Sequence, residues 1–424
     1  MKTLRCDTTE KPKRAFLITM REEGTPDREA ESRSGEFRGL AESLGVEIAA
    51  QETVRLREPR SRFGTGTGKA RELGEKAGAL GADCLILDWE PSPSQQRNWE
   101  ALAGIPVIDR QELIIRIFAE RAKTKEAALQ VELAELSYAL PRLNHRYIDL
   151  SRQRGGSYGT RGAGETRFET DRRIIEGRIH KLREELEEVR KHRGVQRKKR
   201  GKTLFSCALV GYTNSGKSSL LNALTGAGVL AEDKLFATLD PTARRLPGKG
   251  QPVMLIDTVG FIRRLPHNLV DAFRATLEEA ALADLLIHVV DVSDPDAEHY
   301  FDTTMEVLRD LGADKKPMIT ALNKIDRADP AGTRLPERYA GGVPVSARTG
   351  QGLEELTRRL RLLVSGSVSR FRFPRDRYDL AALLHRDGRV LSEKYEDAGI
   401  EMEARVGGPL LEKLRDFTLP PQGP

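Results

Sequence analysis

Eight residues constrain this chain more than any others: Gly211-Tyr-Thr-Asn-Ser-Gly-Lys-Ser218, set between the apolar run Leu204–Val210 and the helix-forming Ser219–Leu224. A G-x4-G-K-[ST] loop works only where a buried strand delivers the chain into a helix N-terminus. Backbone N–H groups and the helix dipole then converge on one anion. An α/β domain is therefore required around it. The pattern implies that backbone from Gly211, Tyr212, Thr213, Asn214, Ser215 and Gly216 wraps phosphates. Lys217 neutralises β/γ oxygens, Ser218 ligates Mg²⁺, and Ser219 continues the loop into the helix.

Four further segments follow in an order that narrows the nucleotide. Asp257-Thr-Val-Gly260 comes directly after the strand-like Val253–Ile256. Its carboxylate suits Mg²⁺ through water, and the Gly260 N–H suits a γ-phosphate. Asn323-Lys324-Ile-Asp326 follows Met318–Leu322. The Asp326 carboxylate can accept from N1–H and the 2-amino group of guanine, and adenine would leave it unpaired, so the pattern selects GTP over ATP. Ser346-Ala347-Arg348 can present a backbone N–H to guanine O6. In Phe236-Ala-Thr238-Leu-Asp-Pro-Thr242, Thr238 rather than Thr242 is the expected switch residue over the metal, with Phe236 beside it. Lys217, Thr238 and Gly260 are the expected catalytic set, and Ser218, Thr238 and Asp257 the metal set.

After Gly260 many small GTPases carry a Gln that orients the attacking water. Here Phe261 stands in that place. Two readings stay open: Phe261 packs into the core and another residue positions water, or the protein is slow alone and is completed by a partner.

A chain of 424 residues has length for two to four domains. Its 38% hydrophobic and 32% charged residues exclude a disordered chain and suggest several small cores. No apolar run has the length of a membrane span; the best, Ala280–Val290, contains Asp284 and His288. The charged start, Met1–Arg14, has no signal-peptide core. Cys6, Cys84 and Cys207 have no metal-ligand spacing, and two fall in apolar strand-like runs, consistent with a reducing cytosol. A cytoplasmic monomer is expected. The net charge of +6 is unevenly placed: Arg190–Lys202 holds eight Lys or Arg and no acid, and Arg142–Arg161 five Arg against one Asp.

Residues 1–110 alternate strand and helix signals, predicting a parallel, helix-covered α/β domain. Residues 111–200 read as an antiparallel helical hairpin, with a first helix over Gln111–Ala139 and a second starting near Thr166, where Thr166-Arg-Phe-Glu169 resembles a capping box. Leu129, Leu133, Leu136 and Leu140 on one helix, and Ile175, Ile179, Leu182, Leu186 and Val189 on the other, form narrow apolar stripes of coiled-coil type. Between them lies a basic Gly-rich loop, 141–165, whose Arg152, Arg154 and Arg161 flank glycines and suit RNA contacts, with Tyr147 and Tyr158 available to stack on bases. Residues 201–364 form the P-loop domain, with a mixed sheet. After a Ser365-Gly-Ser367 linker, residues 368–424 form a small α+β domain that ends in an unstructured Pro-Gln-Gly-Pro.

Taken together, these segments resemble the HflX family of translational GTPases. The likeness rests on the phosphate loop, on Phe236–Thr242 and on Asp257-Thr-Val-Gly-Phe261. Outside that domain it rests on Gly66-Thr-Gly-Lys69, Gln130-Val-Glu-Leu-Ala-Glu-Leu136 and Gly159-Thr-Arg-Gly-Ala-Gly-Glu-Thr166, running into Glu169-Thr-Asp-Arg-Arg173. Ala163 replaces the family's usual Pro, and Arg167-Phe168 its Gln-Leu.

The resemblance implies GTP/GDP and Mg²⁺ as ligands and a protein that binds the large ribosomal subunit and its rRNA. It implies a hairpin loop reaching toward the peptidyl-transferase centre and separation of the subunits of stalled or idle ribosomes. It also leaves room for a second nucleotide at Gly64-Thr-Gly-Thr-Gly-Lys69, although Phe63 stands where a phosphate loop has its first Gly. Two other readings stay open. One is a ribosome-bound sensor or assembly factor without splitting activity. The other is a tRNA-modification GTPase, although the C-terminal cysteine motif of that class is missing, since no Cys follows Cys207.

Overall fold

The computed structural model describes residues 12–55, 62–153, 161–200, 204–228, 234–248, 251–264, 278–327, 339, 341–396 and 399–420. The chain divides into two compact units: Met1–Arg190 with Glu232–Asp240 and Arg264–Ala275, and the remainder.

The first unit opens with β1 (Arg14–Arg21), α1 (Asp27–Ser43), β2 (Glu47–Arg55), α2 (Thr67–Ala79), β3 (Cys84–Leu87), α3 (Pro93–Ala103) and β4 (Val107–Asp109). The strands pair in parallel in the order β2-β1-β3-β4, the α/β arrangement predicted for this region. Its ends are set locally. Ser92 and Gln95 form a reciprocal capping box with Pro93 inside the first turn of α3, and Gly104 (φ 69°) ends that helix in the left-handed region. Phe16, Ile18, Leu73, Leu85, Leu87 and Trp99 share one core. Trp99 is fully buried because its one polar atom is satisfied: Nε1 donates to the Phe63 carbonyl at 2.9 Å.

The expected long first helix is two helices, α4 (Arg110–Arg121) and α5 (Lys125–Gln153). The break has a local cause. Ala122 turns extended (φ −67°, ψ 109°), and the Thr124 hydroxyl then accepts from the Ala127 N–H as a fresh N-cap. Asp240 reinforces it by accepting from the N–H groups of Lys123 and Thr124 at 3.0 and 3.2 Å.

The predicted 141–165 loop is also corrected. Helix α5 runs through Pro141 to Gln153, and α6 spans Arg161–Arg200, so Thr166 lies inside a helix and does not cap one. Arg152 is therefore helical, Arg161 opens α6, and Arg154 with Tyr158 lies outside the described residues. The two helices pair as expected, with Leu129, Leu133, Ile175, Ile179, Leu182 and Leu186 buried. Glu132 and Arg178, at similar distances from the connection, form a two-pronged ion pair at 2.7 Å, which sets the helices antiparallel.

In the second unit β5 (Phe205–Val210), α7 (Lys217–Thr225), β6 (Thr242–Arg245), β7 (Val253–Asp257), β8 (Leu285–Asp291), α8 (Ala297–Asp310), β9 (Met318–Asn323), β10 (Val343–Pro344) and α9 (Leu353–Ser365) build a six-stranded sheet, ordered β10-β9-β8-β5-β7-β6. Only β6 is antiparallel, making the sheet mixed as predicted. Cys84 and Cys207 are buried on β3 and β5.

A small C-terminal sheet follows: β11 (Ser367–Phe373), α10 (Tyr378–Asp387), β12 (Arg389–Glu396), β13 (Gly399–Val406), α11 (Gly408–Lys413) and β14 (Thr418–Leu419). Its order is β12-β13-β11-β14, all antiparallel, over a core that includes Phe371, Phe373, Leu384 and Met402. The sequence predicts strands near Ser369–Phe373 and Ile400–Arg405, which are β11 and β13, and carries no comparable signal for β12 and β14. The expected Ser365–Ser367 linker shrinks to Gly366, whose added Cβ would stand 1.6 Å from the Val406 carbonyl oxygen. Near Leu410–Phe417, where the sequence predicts one helix, the chain forms α11 and a separate 3-10 turn, Arg415–Phe417. The final Pro-Gln-Gly-Pro lies outside the described residues.

Candidate functional site

The phosphate-loop segment leaves the C-terminal end of β5 and enters α7 at Gly216. Glycine is obligatory at both ends. Gly211 sits at φ 152° with its would-be Cβ 2.3 Å from the Val289 carbonyl oxygen, and Gly216 sits at φ 92° with its would-be Cβ 2.3 Å from Asn323 Nδ2. Asn214 adopts φ 58°, the left-handed region that asparagine tolerates. Lys217 is 6% exposed, and its ammonium donates to the Tyr212 carbonyl at 2.7 Å and that of Gly211 at 3.2 Å. Burial lowers its pKa to about 8, against the raising effect of the Asp257 carboxylate, while the Lys324 charge pushes it further down. A phosphate there would offer the ammonium stronger, charged acceptors than these carbonyls.

On the next strand, Asp257 ends β7 fully buried, and Ser218 Oγ donates to its Oδ2 at 2.6 Å. Two oxygens of this kind, side by side beneath a phosphate loop, are the donor chemistry of a hard divalent cation. Gly260 packs flat on the loop: a Cβ there would stand 2.5 Å from Thr213 Cα and 2.9 Å from Lys217 Nζ. Phe261 is 1% exposed. Its N–H donates to the Gly211 carbonyl at 3.1 Å, and its own carbonyl accepts from the Thr213 N–H at 2.7 Å. Phe261 thus packs into the interior, as the first of the two readings has it.

Asn323 and Lys324 bind the base-recognition segment to the phosphate loop. Asn323 Nδ2 donates to the Ser215 carbonyl at 2.9 Å and its Oδ1 accepts from the Ala347 N–H at 3.1 Å. Lys324 Nζ donates to the Asn214 carbonyl at 2.9 Å and pairs with Asp291 at 2.7 Å. Asp326 is exposed and accepts from the buried Ser346 hydroxyl at 2.6 Å, which holds its carboxyl below the usual range. Ser346 also caps the turn at Thr349, and Arg348 follows Ala347 beside Asp326.

All expected site residues from Gly211 to Ser219, with Asp257, Gly260, Asn323, Lys324, Asp326, Ser346, Ala347 and Arg348, therefore sit at the C-terminal ends of β5, β7, β9 and β10 in the second unit. Phe236 and Thr238 belong to a segment that packs in the first unit. There Phe236 is buried edge-on to Phe118 (centroids 4.7 Å), and the Leu235 N–H donates to Ser43 Oγ at 3.0 Å. Sequence reasoning missed Asp291, the partner of Lys324, and Tyr300, which stacks on Tyr212. The signal for Asp291 was its place at a strand end, like the other site residues. At the N-terminal glycines Lys69 is neutralised by Glu52 (3.3 Å) and Glu72 (2.5 Å), and Phe63 packs edge-on to Trp99.

Comparison with known proteins places this arrangement. Three family models match in succession: a GTP-binding GTPase N-terminal region over residues 31–119, a GTP-binding GTPase middle region over 121–200, and a 50S ribosome-binding GTPase over 206–324. The chain is 44% identical over 428 residues to GTPase HflX of Akkermansia muciniphila, covering 96% of this chain and 98% of that one. The chain belongs to the HflX family. GTPase HflX of Escherichia coli K12 is 42% identical over 374 residues, covering 87% and 85%. A GTP-binding protein from Sulfolobus solfataricus, solved with GDP, is 28% identical with a TM-score of 0.44, covering 82% of this chain and 97% of that one. As an HflX-family protein, the chain is a GTPase that binds GTP and GDP. Among the described residues no helix is long and apolar enough to cross a membrane.

Proposed function

We propose that this GTPase binds the large ribosomal subunit in its GTP form, reaches its rRNA through the tip of the α5–α6 hairpin, and separates the subunits of stalled or idle ribosomes. The observation that carries the nucleotide half is Asn323, which joins the base-recognition strand to the phosphate loop by two hydrogen bonds. The match of residues 206–324 to a 50S ribosome-binding GTPase supports the partner.

Within the site, backbone from Gly211 to Ser219 and the Lys217 ammonium hold the phosphates, and Asp326 with the Ser346–Arg348 turn selects guanine. Ser218 and Asp257 fit Mg²⁺ and would hold it, with Thr238 closing over it; the ion would supply charge neutralisation at the β/γ oxygens. Lys217 and the Gly260 N–H stabilise charge that develops on the γ-phosphate. Because Phe261 is buried, turnover is slow alone and is stimulated by the ribosome. The protein works in the cytoplasm as a monomer.

Sedimentation with ribosomes tests the reading. With a non-hydrolysable GTP analogue the protein should travel with large subunits and convert 70S particles to subunits; with GDP it should stay at the top of the gradient. Equal binding with both nucleotides overturns the switch, and intact 70S peaks overturn splitting. EDTA should lower GTP affinity in the wild type and have little effect in Ser218→Ala; an equal effect in both removes Ser218 from the metal set.

A further inference from the structure

The stretch that follows Gly260 is fastened to the phosphate loop by more than its backbone. Tyr212 is the second residue of that loop and only 4% exposed, and its hydroxyl accepts from the buried Arg263 N–H at 2.9 Å. Its ring lies flat on Tyr300 of α8, with centroids 4.0 Å apart and planes within 13°. The Arg263 guanidinium lies over the Tyr300 ring at 5.1 Å and bonds Asp296, which precedes α8, at 3.2 Å. Between these points Phe261 exchanges two backbone hydrogen bonds with Gly211 and Thr213.

We propose that Tyr212 is a positioning residue for GTP hydrolysis, latching the Gly260–Arg263 stretch to the phosphate loop so that the Gly260 N–H is held at a fixed place relative to Lys217. The proposal rests on the reading that Gly260 meets the γ-phosphate. In that reading two donors, the Gly260 N–H and the Lys217 ammonium, have to face the same group. Their separation is set by how Gly260 packs on Thr213, where there is no room for even a methyl group. The latch ties the residues after Gly260 to that same loop, and Tyr300 and Asp296 at α8 back it. Since the Phe261 side chain offers no polar atom to the reaction, rate depends on these two fixed donors, and small displacements are costly. GDP has no γ-phosphate, so its affinity does not depend on the latch.

Tyr212→Phe removes the hydroxyl and keeps both the ring stack and the backbone that wraps phosphate. Its single-turnover hydrolysis should fall by roughly 10- to 100-fold, the scale of a misplaced catalytic group. GDP affinity should stay near wild type, while the thermal midpoint should fall modestly because the buried Arg263 N–H gives up this acceptor. Tyr300→Ala, which removes the platform, should show the same split, and Tyr300→Phe should restore the rate. Wild-type hydrolysis by Tyr212→Phe overturns the proposal, as does a parallel loss of GDP and GTP-analogue affinity, which would mark a merely structural role. Gly260→Ala separates the two layers. If it abolishes hydrolysis while Tyr212→Phe does not, only the latch fails; if it hydrolyses normally, the γ-phosphate reading and the latch fall together.

Discussion

Asn323 Nδ2 donates to the Ser215 carbonyl at 2.9 Å, joining the end of one central strand to the phosphate loop of another. The bond is buried and its partner groups have no water to fall back on. Asn323→Ala should therefore strand the Ser215 carbonyl at about 1–3 kcal/mol, with a smaller loss at the half-buried Ala347 N–H. Affinity for GTP and GDP should fall together, by at least about tenfold, in competition binding. A selective loss of one nucleotide contradicts this role.

Asp326 should set base choice. It is exposed and aligned by the Ser346 hydroxyl. Asp326→Asn should weaken GTP and improve XTP, because xanthine places a carbonyl where guanine has its amino group. An unchanged preference for GTP in competition binding would falsify the assignment.

The Lys217 ammonium titrates at about 8 because it is buried. Below that pH it is charged in both folded and unfolded chains. Between 8 and its ordinary value, the folded protein releases a proton that the unfolded chain keeps, so stability from this group rises with pH across that window. Bound phosphates restore the charge, so nucleotide binding takes up a proton there. GTP affinity should fall above pH 8, by at most about tenfold per pH unit. Titration calorimetry in buffers of different ionisation enthalpy should show the proton uptake in the wild type and none in Lys217→Met. Constant wild-type affinity from pH 7 to pH 9.5 counts against the buried ammonium.

Placing a glutamine at Phe261 should not create a water-positioning group. The side chain is 1% exposed and its backbone is tied at both ends to the phosphate loop. Phe261→Gln buries an amide without a prepared partner, so unfolding should come earlier by about 1–3 kcal/mol, with no gain in turnover. Faster hydrolysis by the variant would mean that this position can reach the reacting water.

The hairpin tip should carry RNA contact independently of nucleotide chemistry. Replacing Arg152, Arg154 and Arg161 with Glu should weaken large-subunit binding and flatten its salt dependence. Each lost phosphate contact removes about 0.7–0.9 from the slope of log affinity against log salt. GTP affinity without ribosomes should be unchanged. Undiminished ribosome binding would transfer the role to the basic run Arg190–Lys202.

Much of this was legible in the chain itself. The phosphate loop, Asp257, Asn323 and Asp326 were readable because each sits at a strand end that announces itself by a short apolar run. The first seven elements were readable for the same reason. Pairing of the hairpin followed from two narrow apolar stripes of the same spacing. Less legible were elements whose pattern is polar or interrupted. β12 lies at an edge with most of its side chains exposed, so it lacks the apolar alternation by which a strand is recognised. Pro141 and the glycines around 155–164 suggested a loop, yet helix continues past the proline, since one lost backbone bond is affordable in so long a helix.

By itself the sequence determined what local chemistry can determine: the strands and helices with a clear apolar pattern, where the backbone must be glycine, and which side chains could meet a guanine nucleotide. Tertiary structure alone decided which of these groups hold one another. Asp291 faces Lys324, Tyr212 stacks on Tyr300 and accepts from Arg263, and Asp240 helps divide α4 from α5, each across a separation that no periodicity records. Such pairs arise because a parallel sheet brings the ends of distant strands within a few ångströms, and burial then makes every polar group there find a partner.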